Sequence, residues 1–147
     1  MRIHNFKELL EKVKKQSEKR LVTVNGVDEN TLEALDEAVK MGLVKAILTG
    51  DKNKIERSCD KLSIDPSNYE IIHTKTEKEA AEKAVSLIHD GGADLIMKGL
   101  VSTDKFMKVL LKKEYELVPS KGILTHVALM ENPNYHKMLL FSDAGVI

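Results

Sequence analysis

The sequence predicts a doubly wound α/β fold with a mostly parallel sheet, and three observations carry that prediction. Short apolar or β-branched runs recur along the first four-fifths of the chain, at "RLVTVNG", "VKAILTG", "NYEIIHT" and "ADLIMKG". Each run leads into a hydrogen-bond acceptor followed by a stretch with helical spacing of apolar residues. Those helical stretches are about 10–15 residues long, which suits crossover connections, because parallel neighbours need a long return path packed on the sheet.

The elements follow in order. Asn5 with Glu8 has the spacing of a capping box, and Phe6, Leu9, Leu10 and Val13 share one face, so the chain opens with an amphipathic helix whose basic far side is solvated. The first strand closes at Asn25-Gly26, and Asn30 with Glu33 reads as the cap of the next helix, "TLEALDEAVKMG". "VKAILTG" leads into Asp51 and a helix with Ile55, Cys59 and Leu62 on one face. "NYEIIHT" leads into a capping box from Thr76 to Glu79, and Gly91-Gly92 ends that helix. The fourth strand runs through Lys98-Gly99 to Ser102-Thr103 and a last helix.

After Leu117 the rhythm changes. "GILTHVALMENPNYHKMLLFSD" holds two apolar runs around a Glu-Asn-Pro-Asn turn with no helix between them, which predicts an antiparallel hairpin. The expected organisation is an α/β domain over residues 1–118, with 119–147 beginning a second domain. The final "AGVI" carries no polar tail, and the expectation is that the fold continues beyond it.

Composition narrows the function classes. The 147 residues are 42% hydrophobic and 31% charged, with 23 basic and 23 acidic side chains and a net charge of zero, so no general attraction to nucleic acid or membrane is expected. Any anion site must be local. The single cysteine, Cys59, cannot form an internal disulfide, no apolar run reaches the roughly 18 residues of a spanning helix, and the charged N-terminus lacks a signal core, which together point to the cytoplasm. No G-x-G-x-x-G fingerprint or P-loop occurs, and no carboxylate or Cys/His pattern marks a metal site.

Ligands of open α/β sheets bind at the carboxyl ends of the strands, where helix N-termini offer unpaired N–H groups. The four strand-to-helix turns are therefore the candidates, and the fourth is the richest. Gly99 allows close backbone approach, Ser102 or Thr103 supplies hydroxyls, and Lys98 adds a point charge. The alternative gives Gly99 to the turn, Ser102 to the helix cap and Lys98 to solvent. Asp143 closes an apolar strand, a position suited either to a functional carboxylate or to a cap. His126, within "ILTHVALM", either orients a substrate oxygen or is satisfied by a neighbouring polar group, whereas Cys59 reads as a small core residue.

"ADLIMKGLVSTDKFMKVLL" and "LTHVALMENPNYHKMLLFSDAGV", in that order and spacing, resemble the phosphate acetyl/butyryltransferase family, and its butyryl branch more than its acetyl branch. The resemblance spans essentially the whole chain and corresponds to the N-terminal half of the family. It implies an isocitrate/isopropylmalate dehydrogenase-like fold with a cleft between two α/β domains, usually as a homodimer. It also implies the reversible conversion of acyl-CoA and inorganic phosphate into acyl phosphate and coenzyme A, with coenzyme A as a substrate and no tightly bound cofactor or metal.

By the same resemblance, Lys98, Gly99, Ser102 and Thr103 serve the phosphate or acyl-phosphate side, and Asp143 lies near the cleft, with Ser102 and Asp143 the candidates for catalysis. The acetyl branch carries an arginine where this chain has Lys108, which a lysine does not replace as a bidentate phosphate grip. The Ser-Arg pair and the aspartate associated with the coenzyme A thiol belong to the family's later half. A non-catalytic phosphate- or coenzyme A-binding module is the alternative, and a metal- and NAD-dependent dehydrogenase of the same fold would require a carboxylate cluster.

Overall fold

A computed structural model describes residues 3–119 and 121–143, so the closing "AGVI" lies outside the described residues. The chain divides into two compact units, Glu18–Leu117 and a second formed by the described parts of 1–17 and 118–147.

The larger unit is an α/β sandwich around a parallel sheet of four strands in the order β3-β2-β1-β4. β1 (Lys19–Val24) is followed by α2 (Glu29–Lys40), β2 (Val44–Gly50) by α3 (Lys52–Leu62), β3 (Glu70–His73) by α4 (Glu77–His89), and β4 (Leu95–Lys98) by α5 (Thr103–Leu110). The register places Val22 beside Ile47 on one side and Ile96 on the other, and Leu48 beside Ile71. Alternation along the strands divides the core into two layers. Val22, Val24 and Ile47 pack with Ala80, Ala84 and Val85 of α4 and Val109 of α5, while Ala46 and Leu48 pack with Leu32 and Leu35 of α2 and Ile55 and Cys59 of α3. The parallel, doubly wound architecture read from the sequence is the one observed, and Cys59 is buried in the core as expected.

The helix starts are set by side-chain caps, with one difference from the sequence reading. α2 is capped by Asp28, whose carboxylate accepts from the Thr31 N–H at 3.0 Å and from the Thr31 hydroxyl at 2.6 Å. Asn30 lies inside the helix. A carboxylate that satisfies an N–H and a hydroxyl at once, at the positive end of the helix, outcompetes an amide cap. Asn5, Asp51 and Thr76 cap their helices as predicted, and Ser102 caps α5, the role its alternative reading gave it. In both capping boxes the returning glutamate reaches one residue further back than expected: Glu8 accepts from the His4 N–H and Glu79 from the Lys75 N–H.

The second unit contains α1 (Phe6–Val13) and an antiparallel hairpin, β5 (Val127–Met130) with β6 (Leu139–Ser142). Glu131, at the hairpin turn, accepts from the Phe6 N–H at 2.7 Å, placing a carboxylate at the N-terminus of α1. The strands are shorter than the apolar runs suggested. Pairing starts at Val127, so His126 stands at the strand's entrance, exposed, and not in mid-strand. Val127, Met130 and Leu140 are more than half exposed, so the hairpin presents apolar side chains outward.

Candidate functional site

The carboxyl edge of the four-stranded sheet gathers the four turns singled out in the sequence. β1 pairs with β2 on one side and β4 on the other, so chain order reverses direction between β1 and β4. Such a switch point opens a crevice because the flanking turns diverge to opposite faces. Here the two turns are tied together. The Gly99 N–H donates to Val24 O at 2.9 Å, the Leu100 N–H donates to Asn25 O at 3.0 Å, and the Asn25 side-chain amide donates back to Leu100 O. Asn25 adopts a left-handed conformation, φ 52°, to turn its carbonyl toward Leu100.

That tie explains Gly99. A Cβ there would stand 2.7 Å from Val24 O and 2.8 Å from Asn25 O, so the close approach it permits is that of the β1 backbone. The Lys98 ammonium donates to Val101 O at 2.8 Å, arching over its own turn. Ser102 is the α5 cap, its hydroxyl accepting from the Lys105 N–H at 3.3 Å, and Thr103 is the first, exposed residue of that helix. The structure thus brings Lys98, Gly99, Ser102 and Thr103 together in one turn at the switch point.

Asp143 belongs to the hairpin unit. Its N–H donates to His126 O at 2.6 Å, its carboxylate accepts from the His126 N–H at 3.4 Å, and its own backbone is left-handed, with φ 56°. This pair continues the hairpin ladder by one step beyond Val127 and Ser142.

A cavity of about 510 Å³ lies along the same edge of the sheet unit. Asn25 and Val27 of the first turn, Asp51 and Lys54 of the second, Thr74 to Lys78 of the third, and Leu100 and Lys105 of the fourth line it. All four turns contribute, but the fourth does so through Leu100 and Lys105 rather than through the residues that drew attention in the sequence. Four lysines face two acids. Lys105 is paired with Glu77 at 2.7 Å, and Lys78 lies 3.9 Å from Glu82, whereas Lys54 and Lys75 meet no carboxylate among the described residues.

The N-termini of α3 and α4 both border this space. The first N–H of α3, at Lys52, is taken by His73 Nδ1 at 3.2 Å, which requires the ring proton on Nε2. The first two of α4, at Glu77 and Lys78, find no acceptor among the described residues. Positive side chains, unpaired N–H groups and a concave wall are the elements of an anion site. No cluster of three or more His, Cys, Asp or Glu stands together among the described residues, and no helix is long and apolar enough to cross a membrane.

Sequence reasoning missed Thr74, Lys75 and Lys54. The available signal was positional, since all three sit in strand-to-helix turns, but their lack of partners is a property of the folded chain.

The comparisons with known proteins agree with one another. The sequence model of the family described as "Phosphate acetyl/butaryl transferase" matches residues 5–85. A phosphate butyryltransferase from Clostridium beijerinckii is 39% identical over 141 residues, covering 96% of this chain and 46% of its own length. A branched-chain phosphotransacylase from Enterococcus faecalis superposes with a TM-score of 0.73 at 27% identity, over 88% of this chain and 44% of that one. A phosphotransacetylase from Streptococcus pyogenes, at 19% identity, shares the fold with a TM-score of 0.77, over 97% of this chain and 52% of that one. The chain spans about half the length of the curated relatives it matches. Family model, identity and fold converge, and the chain belongs to the phosphate acetyl/butyryltransferase family.

Proposed function

We propose that the chain carries the N-terminal part of the active-site cleft of a phosphate acyltransferase, with butyryl-CoA or a branched-chain acyl-CoA and inorganic phosphate as substrates. The observation that carries this reading is the 39% identity to a phosphate butyryltransferase across nearly the whole chain. In the reaction a phosphate oxygen attacks the thioester carbonyl, the C–S bond breaks, and coenzyme A leaves as the thiol after taking a proton. The protein must hold the phosphate, neutralise the oxyanion of the tetrahedral intermediate and supply the thiol's proton.

Lys98, Gly99, Ser102 and Thr103 sit at a switch point suited to the phosphate side. In this reading the Lys98 ammonium exchanges Val101 O for a phosphate oxygen, and the Ser102 hydroxyl donates to the oxyanion. Asp143 is a second candidate for catalysis, and the groups that serve the coenzyme A thiol belong to the family's later half. The reading further assigns an isocitrate/isopropylmalate dehydrogenase-like fold, a homodimer and a cytoplasmic location to the whole protein, with coenzyme A as a substrate and no tightly bound cofactor.

Because the chain spans about half of its relatives' length, residues 1–147 are expected to show little turnover by themselves. Thiol release from butyryl-CoA and phosphate, followed with a thiol reagent, should be at least about tenfold faster for a chain extended past Ile147. Equal rates would overturn the division of the cleft, and no release by either would overturn the enzyme reading. The half-length coverage also favours a second reading, a phosphate- or coenzyme A-binding module without catalysis. Calorimetry that finds binding to both lengths and turnover by neither would select it.

A further inference from the structure

The buried hydroxyl of Thr74 has no hydrogen-bond partner, although Thr74 lines the cavity at the helix N-termini and is only 2% exposed. A buried hydroxyl left unsatisfied is costly, and in a native structure it calls for a reason. Beside it, Glu77 and Lys78 begin α4 with unpaired N–H groups, and Lys54 and Lys75 lack carboxylate partners among the described residues. Donors without acceptors, around one concave space and with an excess of positive charge, lack one component: an anion with several oxygens.

We propose that this cavity is a phosphate subsite built on the third turn, in which Thr74 Oγ1, the first N–H groups of α4, and the ammonium groups of Lys54 and Lys75 hold a phosphate group. The groups that would hold the phosphate are distinct from Lys98, Gly99, Ser102 and Thr103, although Leu100 of that turn shares the cavity wall. It rests on the acyltransferase reading only for the identity of the occupant, which is inorganic phosphate or a phosphate group of coenzyme A.

Thr23 provides an internal control. It is also fully buried with an unpartnered hydroxyl, but it is not on the cavity wall. Replacing either hydroxyl by a methyl group removes an unsatisfied polar atom at nearly constant shape, so Thr23→Val and Thr74→Val should each leave the melting temperature of the free protein unchanged or raised. Only Thr74→Val should weaken phosphate binding. Exposed Lys75 can be replaced by Ala with little effect on folding, which keeps the test available if Thr74→Val folds poorly.

The experiment is a titration of the chain with inorganic phosphate, coenzyme A and, as a phosphate-free control, pantetheine, followed by the amide resonances of Lys75 to Lys78. Phosphate or coenzyme A should shift these resonances and pantetheine should not. Thr74→Val should raise Kd by about tenfold or more, Lys75→Ala severalfold, and Thr23→Val not at all. Saturation by coenzyme A alone assigns the subsite to its phosphate groups, and saturation by inorganic phosphate assigns it to that substrate.

No shift with either ligand, or unchanged affinity in both Thr74→Val and Lys75→Ala, overturns the proposal. An extended chain that binds phosphate at this subsite but releases no thiol would retain the subsite and discard the enzyme reading. Turnover in which the phosphate and coenzyme A KM values ignore both variants would do the reverse.

Discussion

Asp94 stands at the start of β4, and its carboxylate binds Arg20 three times: it accepts from the Arg20 N–H at 2.8 Å, from Nε at 3.2 Å and from Nη2 at 2.9 Å. The Arg20 side-chain bonds, followed by its backbone N–H, hold the carboxyl at about 2. Its value in the unfolded chain is about 3.9. A carboxyl whose folded value is depressed adds stability above its unfolded value, and loses it as pH falls from there toward the folded value. Asp94→Asn should therefore lower the melting temperature near neutral pH, and the gap from the parent should close as pH falls from about 4 to about 2. Because the pair is exposed, added salt should also narrow the gap. A gap unchanged by acid would deny the ion pair its role in joining β4 to β1.

At the scale of elements, helix caps were legible where one acceptor stood out before a helical run, as at Asn5 and Asp51. Around α2 the sequence offers both Asp28 and Asn30, and only the fold shows Thr31 giving its N–H and hydroxyl to Asp28. Asp28→Ala should cost about 1 kcal/mol in urea unfolding, whereas Asn30→Ala, an exposed change inside the helix, should stay within about 0.5 kcal/mol. Equal losses would restore Asn30 as the cap. The lysines were illegible for a related reason. Lys–acid pairs four apart recur at Lys52–Glu56, Lys78–Glu82 and Asp104–Lys108, yet Lys105 is matched by Glu77, 28 residues away. Which cations remain for a ligand is decided by such distant partners, which spacing does not reveal.

For the whole molecule, the alternation of strands and helices announced a parallel sheet and pointed to its carboxyl edge, but not the strand order. β1, β2 and β3 add in sequence, and then α4 carries the chain back across the sheet to set β4 beside β1. β4 is an edge strand of four residues, with Leu95 46% exposed, and its amides should lose native hydrogen-exchange protection before those of β2, which is paired on both sides. Equal protection would mean that the sheet opens only as one unit. The strand order also sets a schedule during synthesis. Asn25 leaves the ribosome 75 residues ahead of Leu100, the partner that receives its side-chain N–H. By the end of that interval the first three strands can pair with one another, while the crevice at the switch point still lacks a wall. The growing chain thus has three of its four strands, and the third turn, before the fourth turn arrives to close the switch point.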